Sequence, residues 1–293
     1  MASASKISIR FFDDREVRAV WDEQNAKWWF SVLDIVAVLR DESNYTKNRN
    51  YWKYLKAKLK KEKSELVSGA TQLKLLASDG KRYLTDMLDY NGIIALGKEF
   101  PSKKANRFLE WFTYSDDSID GKSKTKAYAL FETSFVDSIE VGTTKGLQQI
   151  HAYLFGGLYD FAGQIRTKSI AKGGYNFTPA HYLATFLKTI DEMPGTTIEE
   201  IADKYAAMNR AHPFMEGNGR STRIWLDMML KKHLKCCVDW SKISKADYMN
   251  AMIISIVDSS EIMKLLKHAL TTDIHSREMY MKGIDYSYYY EEN

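Results

Sequence analysis

The residues from His212 to Arg223 bring a base, a carboxylate, two glycines and two arginines into one short segment. The His212 imidazole, with an ordinary pKa of about 6.5, can accept a hydroxyl proton at neutral pH. Gly217 and Gly219 permit positive φ angles, which turn successive N–H groups toward one point and create an anion-binding concavity. A helix that begins here adds the positive end of its dipole to the same place.

The remaining charged side chains of this segment suit a polyphosphate. Arg220 and Arg223 are three residues apart, so both project from one face of the predicted helix, and each guanidinium can bind two phosphate oxygens. Glu216 supplies the hard oxygen ligand that Mg²⁺ uses when it is shared with nucleotide phosphates. The segment therefore predicts phosphoryl or nucleotidyl transfer. The alternative, a glycine turn with two solvated arginines, explains neither the histidine nor the carboxylate.

The same segment resembles the signature of the Fic family, His-x-Phe-x-(Asp/Glu)-Gly-Asn-Gly-Arg-x-x-Arg, at every fixed position. The resemblance implies transfer of AMP from Mg·ATP to a Ser, Thr or Tyr hydroxyl of a target protein, with ATP and Mg²⁺ as cofactors. It assigns proton abstraction to His212, metal binding to Glu216, the α- and β-phosphates to Gly217, Asn218, Gly219 and Arg220, the γ-phosphate to Arg223, and a core anchor to Phe214.

Two segments before the signature fit the same family. Residues 151–166 resemble its upstream helix and Ala-Gly-x-x-Arg turn, and most of the apolar residues there are core positions. Lys172, Gly173 and Gly174 lie between β-favouring residues and predict a hairpin. In Fic proteins this hairpin, the flap, covers the active site and holds a target segment by strand pairing. An ordinary surface hairpin is the alternative.

The end of the chain resembles the inhibitory helix of C-terminally restrained Fic proteins, (Ser/Thr)-x-x-x-Glu-(Gly/Asn). Ser287 and Glu291 have this spacing, within a helix expected near residues 276–291, whereas position 292 is Glu in place of Gly or Asn. The resemblance implies that Glu291 pairs with Arg223 and blocks productive binding of the γ-phosphate. The alternative is a frayed acidic tail, which is common at chain ends.

The composition is that of a chain with real hydrophobic cores. Its 293 residues, 45% hydrophobic and 13% aromatic, leave room for two domains, and the net charge of +4 is too small to indicate nucleic acid by itself. No apolar run approaches the roughly 18 residues of a membrane span. Cys236 and Cys237 are adjacent, which suits neither a disulfide nor a metal site. We therefore expect a cytoplasmic protein without a membrane partner.

The chain divides into two predicted domains. Residues 114–126 are polar and contain glycine, which predicts a linker. Residues 127–293 show almost wholly helical periodicity, which predicts an all-α Fic bundle with the hairpin flap and the C-terminal inhibitory helix. The helix before the signature is expected to start at Thr197, where Glu200 completes a capping box. Further helices are predicted at Ser221–Lys232, Lys245–Ile256 and Ser260–Leu270.

Residues 1–113 predict an α+β domain, with a small sheet and helices. Three strands are expected between residues 7 and 30, followed by a helix that Ser31 caps and by an amphipathic helix near residues 50–66. A hairpin with an Asp-Gly turn completes the domain, together with two more helices expected around Met87–Leu96 and Lys103–Phe112. The order Trp-Trp-Phe-x-x-x-Asp-Ile, Leu-Leu-Ala-x-Asp-Gly-Lys-Arg-Tyr-Leu-Thr and Pro-Ser-Lys-Lys-Ala resembles the Bro-N domain of phage antirepressor-like proteins, which implies DNA binding.

The second helix of this domain carries the candidate DNA contacts. Its lysines alternate with Tyr51, Trp52 and Tyr54, a combination that can follow a phosphate backbone. The lysines concerned are Lys53, Lys56, Lys58 and Lys60. A solvated lysine face on a core helix is the alternative, and the domain is equally suited to recruit a protein, including the target.

Several functions stay open at this level. Fic relatives also transfer UMP or phosphate, or remove AMP, although the intact Gly-Asn-Gly-Arg run and the second arginine favour AMP transfer. A DNA-binding regulator with a silent Fic half is an alternative from another class. The target protein, the modified hydroxyl and a homo-oligomeric assembly are left open by the sequence.

Overall fold

The computed structural model describes residues 6–13, 15–22, 25, 27–62, 64–77, 80–114, 118–172 and 175–291. The chain separates into two compact units, Met1–Asp116 and Asp117–Asn293, each with its own packing. Within the described ranges, none of the helices combines the length and the apolar character that a membrane span requires. The two units are considered separately below.

The first unit is built on an antiparallel sheet of strong β-formers. Its strands are β1 (Lys6–Phe12), β2 (Arg15–Asp22), β3 (Lys27–Ser31), β4 (Thr71–Leu76) and β5 (Arg82–Leu88), in the order β1-β2-β3-β5-β4. The register pairs Ile9 with Arg18 and Leu73 with Thr85. The predicted β4–β5 hairpin is present, with Gly80 at φ 76°. Asp79 of its expected Asp-Gly turn lies outside the described residues.

Helices cover one side of this sheet. They are α1 (Val32–Arg40), α2 (Tyr45–Lys61), α3 (Glu65–Ser68), α4 (Tyr90–Lys98) and α5 (Lys103–Tyr114). The apolar stripe of α2 enters the core, where Trp52, Leu55 and Leu59 are buried beside Phe30 and Phe108. Caps set the helix starts: the side chain of Ser31 accepts from Asp34 N, and that of Asn44 accepts from Lys47 N. The first unit is therefore α+β, as predicted.

The second unit is mainly helical. Its helices are α6 (Ile119–Leu130), α7 (Thr144–Phe155), α8 (Ala180–Glu192), α9 (Ile198–Ala211), α10 (Asn218–Leu234), α11 (Lys245–Ile254), α12 (Ser260–Ala269) and α13 (Arg277–Tyr289). Short strand pairs are formed by β6 (Ala171–Lys172) with β7 (Tyr175–Asn176), and by β8 (Cys237–Val238) with β9 (Leu270–Thr271). The predicted capping box of Thr197 and Glu200 opens α9. Helix α10 packs on α7, α9 and α13 at the centre.

Two boundaries differ from the sequence prediction. Residues 119–126, predicted as linker, form most of α6, because Ser118 caps this helix and Ala127 and Leu130 anchor it in the core. We also expected a helix from Met87, but β5 continues to Leu88 and α4 starts at Tyr90. The side chain of Asp89 caps α4 by accepting a hydrogen bond from Gly92 N. In both places, short polar caps determine where the element begins.

Candidate active site

His212 lies at the point where α9 ends. It adopts the left-handed conformation, with φ 46°, and its N–H still donates to Met208 O at 3.0 Å. The imidazole stacks on Phe177, with ring centroids 3.7 Å apart, and Nδ1 lies 3.3 Å from Asn209 O. Burial lowers the pKa of His212 to about 4. The ring is therefore neutral at physiological pH, which is the form that accepts a proton.

Arg166 fixes this turn, a role that the sequence did not reveal. Its guanidinium donates to the carbonyl oxygens of His212 at 2.7 Å, Ala211 at 3.0 Å and Thr178 at 2.5 Å. These carbonyls end α9 or lie beside it, where a helix leaves acceptors without partners. Arg166 therefore holds the backbone of the candidate base. The Ala-Gly-x-x-Arg turn was the available signal.

The loop after His212 is a rigid cradle. Gly217 begins α10 with φ 80°, and a Cβ there would overlap the ring of Phe155. The Asn218 side chain donates to Phe214 O and accepts from Phe214 N, both at 2.8 Å. The Asn218 side chain is therefore used to hold the loop backbone at Phe214. Its backbone N–H is the group that remains for a ligand at the start of α10. The N–H groups of residues 218–220 belong to a first helical turn, which supplies them with no helical acceptor.

The buried side chain of His151 contacts the backbone of the loop just before the cradle. Its Nδ1 accepts from Gly163 N at 2.8 Å, and its Nε2 lies 2.9 Å from Glu216 O. The ring is buried and stacks on Phe214, which is fully buried as expected, with centroids 3.8 Å apart. Since Nδ1 is occupied as an acceptor, Nε2 carries the proton and donates to Glu216. The sequence placed His151 in a helix but indicated no contact with the loop.

Arg223 and Glu291 form an ion pair at 2.7 Å, and the guanidinium is only 2% exposed. The arginine also donates to Ser287 Oγ at 2.7 Å, to Ser287 O at 2.6 Å and to Tyr248 OH at 2.9 Å. Burial acts to raise the pKa of Glu291, but Arg223 outweighs it and lowers that pKa to about 2. The predicted partners are thus in contact, and Arg223 is fully engaged by α13 and Tyr248.

The Glu291 carboxylate also lies close to Gly219, in the first turn of α10. A Cβ added to Gly219 would overlap Glu291 Oε1, so the carboxylate lies directly on the glycine where the sequence predicted phosphate. A carboxylate is a reasonable stand-in for a phosphate oxygen pair at a helix N-terminus. The contact therefore places a negatively charged group at the start of α10, where the sequence predicted a phosphate.

Arg220 is held by two carboxylates, only one of which we expected to find in the site. Its guanidinium is 3% exposed; one terminal nitrogen lies 2.7 Å from Glu216 Oε1, and the other contacts Asp120 of α6. Burial lowers the pKa of Arg220, but Asp120 and its neighbours reverse the shift and raise it. Asp120 fell within the predicted linker, so nothing in the sequence pointed to it.

Glu216 is the candidate metal ligand. Its side chain is 53% exposed, and Oε1 also accepts from its neighbour Gly217 N at 2.9 Å. Within the described ranges, no group of three or more His, Cys, Asp or Glu side chains converges on one point. One exposed carboxylate beside an anion cradle suits Mg²⁺ that takes its other ligands from phosphates and water. The residues present therefore fit Mg·ATP.

The flap is a two-stranded hairpin of β6 and β7, as predicted. Lys172 is 60% exposed, and its Nζ lies 3.5 Å from Glu291 Oε2. Gly173 and Gly174, which were part of the predicted flap, lie outside the described residues. Phe177 N donates to Ile170 O at 3.2 Å, which continues the pairing to the ring that stacks on His212. The hairpin thus reaches both the candidate base and the Glu291 carboxylate.

The lysines of α2 in the first unit have different surroundings. Lys53, Lys58 and Lys60 are exposed, whereas Lys56 forms an ion pair with Asp86 at 2.7 Å. Trp52 is buried and also donates to Asp86, at 2.7 Å, so of the interleaved aromatic rings only Tyr54, at 68%, is largely exposed. Lys56 and Trp52 therefore belong to the packing of the unit.

Comparison with known families agrees with this division. Residues 142–230, which include the whole segment from His212 to Arg223, match the Fic/DOC family. The chain contains a Fic domain. Residues 16–117 match the N-terminal domain of the BRO family, the Bro-N domain. Both resemblances seen in the sequence are therefore confirmed, and so are the α+β first unit and the helical second one.

Curated relatives are similar to this chain over part of their length. Protein adenylyltransferase VbhT of Bartonella schoenbuchensis is 28% identical over 156 residues, which are 45% of this chain and 32% of VbhT. Probable protein adenylyltransferase y4lH of Sinorhizobium fredii is 31% identical over 116 residues, 36% of this chain and 60% of y4lH. The matched segments thus span between a third and three fifths of these relatives.

Solved structures of Fic proteins are also similar. The BepC protein of Bartonella tribocorum, solved with bound AMPPNP, has a TM-score of 0.44 and 21% identity, and the match covers 52% of this chain and 84% of BepC. A Fic domain from Bartonella quintana, solved with bound ADP, has a TM-score of 0.44 and 19% identity, with coverage of 52% and 83%.

Proposed function

We propose that this chain transfers AMP from Mg·ATP to a Ser, Thr or Tyr hydroxyl of a target protein, and that α13 restrains the reaction. The observation that carries the proposal is the place of Glu291, which neutralises Arg223 and lies on Gly219. An acidic side chain held on a helix N-terminus with a buried arginine marks a site for a negatively charged ligand. The names of the two curated relatives, both adenylyltransferases, support the same chemistry.

The residues of the site divide the work of an in-line transfer. Neutral His212, fixed by Arg166 and Phe177, accepts the proton of the attacking hydroxyl. The N–H groups of the cradle and the two arginines stabilise charge on the phosphates, and Glu216 holds the metal. Mg²⁺, when bound, neutralises the departing pyrophosphate. Because these groups are preorganised by buried contacts, positioning and electrostatics supply most of the catalysis.

The restraint acts on nucleotide binding. Glu291 keeps its charge down to about pH 2, so protonation does not release Arg223 at any physiological pH. Breaking a buried pair from one side is costly, since the remaining charge is left without a partner. A phosphate that replaces the carboxylate satisfies both Arg223 and the cradle. We therefore expect removal of Glu291 to increase transfer, and displacement of α13 to have the same effect.

Labelling of cell lysate with ATP tests the proposal. We expect ATP labelled at the α-phosphate to modify protein in the presence of Glu291→Gly, and much less with the unaltered chain. Glu192→Gly, at the exposed end of α8, is the matched control and should behave as the unaltered chain. Glu291→Gly combined with His212→Ala should give no label. Absence of label with all nucleotides and lysates would contradict the proposal.

The same assay separates the other Fic chemistries. Label from the γ-phosphate but not from the α-phosphate of ATP indicates phosphate transfer, and label from UTP indicates UMP transfer. Loss of AMP from a previously labelled target indicates removal. The Gly217–Arg220 cradle and Arg223 favour AMP transfer over these reactions, since each phosphate of ATP then has an assigned partner.

A second candidate function, DNA binding, belongs to the first unit. It is supported by Lys53, Lys58 and Lys60, which are exposed on α2 beside the exposed ring of Tyr54. Exposed lysines bind phosphates through counterion release, so binding should weaken steeply as salt increases. A filter-binding titration with Lys53, Lys58 and Lys60 changed to Glu should abolish it. Three exposed lysines of the second unit, Lys188, Lys232 and Lys242, provide a charge-matched control.

Binding that persists at high salt, or that both triple variants weaken equally, would contradict this second function. In that case the lysine face of α2 is a solvated surface, and recruitment of a protein becomes the better account of the Bro-N domain. The lysines and the motif arginines lie in separate units, so each set can be changed and tested without altering the other.

A further inference from the structure

The contact between Asp120 and Arg220 has no role in the transfer reaction proposed above. Asp120 stands in the first turn of α6, ahead of the segment matched to the Fic family, and its carboxylate reaches the buried guanidinium of Arg220. The Asp120 side chain is 59% exposed, whereas that of Arg220 is 4% exposed. A solvated acid is thus placed on Arg220, which was assigned with the cradle to the α- and β-phosphates. We place its guanidinium on the β-phosphate, next to Arg223 on the γ-phosphate.

The two carboxylates that contact Arg220 are expected to behave differently when a nucleotide binds. Glu216 is expected to bind the metal. It would then release the terminal nitrogen of Arg220 that lies 2.7 Å from Glu216 Oε1. Asp120 has no other described partner, so it continues to occupy the second nitrogen. A guanidinium grips phosphate best with two parallel N–H groups, and that geometry requires both terminal nitrogens or one with Nε. Arg220 Nε is buried and, within the described ranges, lacks a hydrogen-bond partner.

We propose that Asp120 is a second inhibitory carboxylate, which competes with the β-phosphate for Arg220 as Glu291 competes for Arg223 and the cradle. This inference rests on the proposed function, since it assumes that nucleotide phosphates bind here. Each arginine of the signature is then neutralised by an acid from outside the signature. One acid comes from α6 and the other from the segment that follows α13.

Helix α6 connects the two inhibitory contacts. Besides carrying Asp120, it contacts α13 through an ion pair, in which Lys124 Nζ lies 2.8 Å from the buried carboxylate of Asp285. The Tyr288 hydroxyl also donates to Ser123 Oγ at 3.0 Å, and both groups are buried. A displacement of α6 therefore removes Asp120 from Arg220 and loosens α13, which directly precedes Glu291. The two carboxylates leave the phosphate site together.

The structural alternative is that Asp120 serves only its own helix. An acid in the first turn stabilises a helix through the dipole, and Asp120 is the second residue of α6 after the Ser118 cap. This role predicts a lower melting temperature in Asp120→Asn and no change in nucleotide affinity. Competition for Arg220 predicts higher affinity, whatever happens to the melting temperature.

Calorimetric titration with ATP, ADP and AMP in the presence of Mg²⁺ distinguishes these accounts. Asp120→Asn in the full chain should bind ATP and ADP about three- to fivefold more tightly, which is the upper range for a partly exposed pair. AMP, which lacks the β-phosphate, should bind equally to both proteins. Asp120→Ser provides a second variant that also suits a helix start, and Asp137→Asn removes an equal charge from an exposed turn.

Each result has one meaning. Equal gains for ATP, ADP and AMP, or no gain with either Asp120 variant, overturn the inference. If Glu291→Gly tightens ATP binding in the same series while the Asp120 variants do not, the proposed function stands and only the second carboxylate is lost. If no variant binds any of the nucleotides, the proposed function fails together with the inference.

Discussion

Two sets of cationic side chains in this chain were both predicted from the sequence to bind phosphates, but they differ in burial. Lys53, Lys58 and Lys60 of α2 are exposed, whereas Arg220 and Arg223 are 3% and 2% exposed. Exposed lysines are screened by salt and cost little to change. The buried arginines are held in a single geometry by carboxylates and carbonyls, so a ligand must exchange with those partners.

The comparison explains how the site can be both preorganised and restrained. A buried guanidinium without an acceptor would be strongly unfavourable, so the chain supplies Glu291 and Asp120 as partners in the absence of nucleotide. If the proposed function is right, the partners that stabilise the fold occupy the places assigned to the phosphates. The lysines of α2 are exposed, so the proposed DNA binding there would not require partners of this kind to leave.

Loss of the Arg223 side chain should have the largest effect on stability. Arg223→Met leaves Glu291 and Ser287 buried without their partner, which should lower the free energy of unfolding by about 3–5 kcal/mol. Arg210→Met removes an exposed arginine from the end of α9 and should stay within about 0.5 kcal/mol. Urea unfolding measures both. Equal effects would show that burial does not separate the two arginines.

Removal of the candidate base should reduce AMP transfer and leave nucleotide binding almost unchanged. In a Glu291→Gly background, His212→Ala should lower the labelling rate about 100-fold or more, because His212 is the group proposed to accept the hydroxyl proton. The ATP dissociation constant should change less than about threefold. His181→Ala, at an exposed position of α8, is the matched control. Labelling that survives the His212 change would remove the histidine from the mechanism.

The Fic signature itself was readable from the sequence because its residues are adjacent. His212, Glu216 and the arginines lie within two helical turns and one loop, and their spacing alone placed them at one helix start. The Glu291 contact was also accessible, through the spacing of Ser287 and Glu291. The linker was misplaced because Asp120 and its neighbours are polar and only weakly amphipathic, although Ser118 caps a helix there.

Partners that are distant in sequence were not readable. His151 contacts Glu216 across 65 positions, and Asp120 contacts Arg220 across 100. Neither contact leaves a periodic signal, since each depends on how α6, α7 and α10 pack together. Similarly, the lysine spacing on α2 could not show that Asp86 binds Lys56 and leaves Lys58 exposed.

The lysines of α2 should differ among themselves in their effect on stability. Lys56→Met breaks the pair with Asp86, whose pKa is lowered by Lys56 and its other partners against the effect of burial. Because Lys56 is 35% exposed, we expect a loss of about 0.5–1 kcal/mol in the free energy of unfolding. Lys53→Met and Lys60→Met should cost less than half of that. Identical values for the three variants would contradict the distinction.

The pH dependence of transfer should show no inflection near neutrality. With the pKa of His212 lowered to about 4, the ring gains its proton only in acid, so the neutral base persists as the pH falls toward that value. In Glu291→Gly, kcat/KM should therefore be flat between about pH 5 and 8 and decrease below that range. An inflection at the ordinary histidine value, about pH 6.5, would show that His212 is solvated in the working enzyme.

The affinity for Mg·ATP of the unaltered chain and of Glu291→Gly, measured by calorimetry, tests the central claim most directly. If the Glu291 carboxylate occupies the phosphate site on Gly219 and Arg223, its removal should lower the ATP dissociation constant at least tenfold, or about 1.4 kcal/mol. Equal dissociation constants would mean that Glu291 and the nucleotide do not compete, and the account of a restrained Fic site would be wrong.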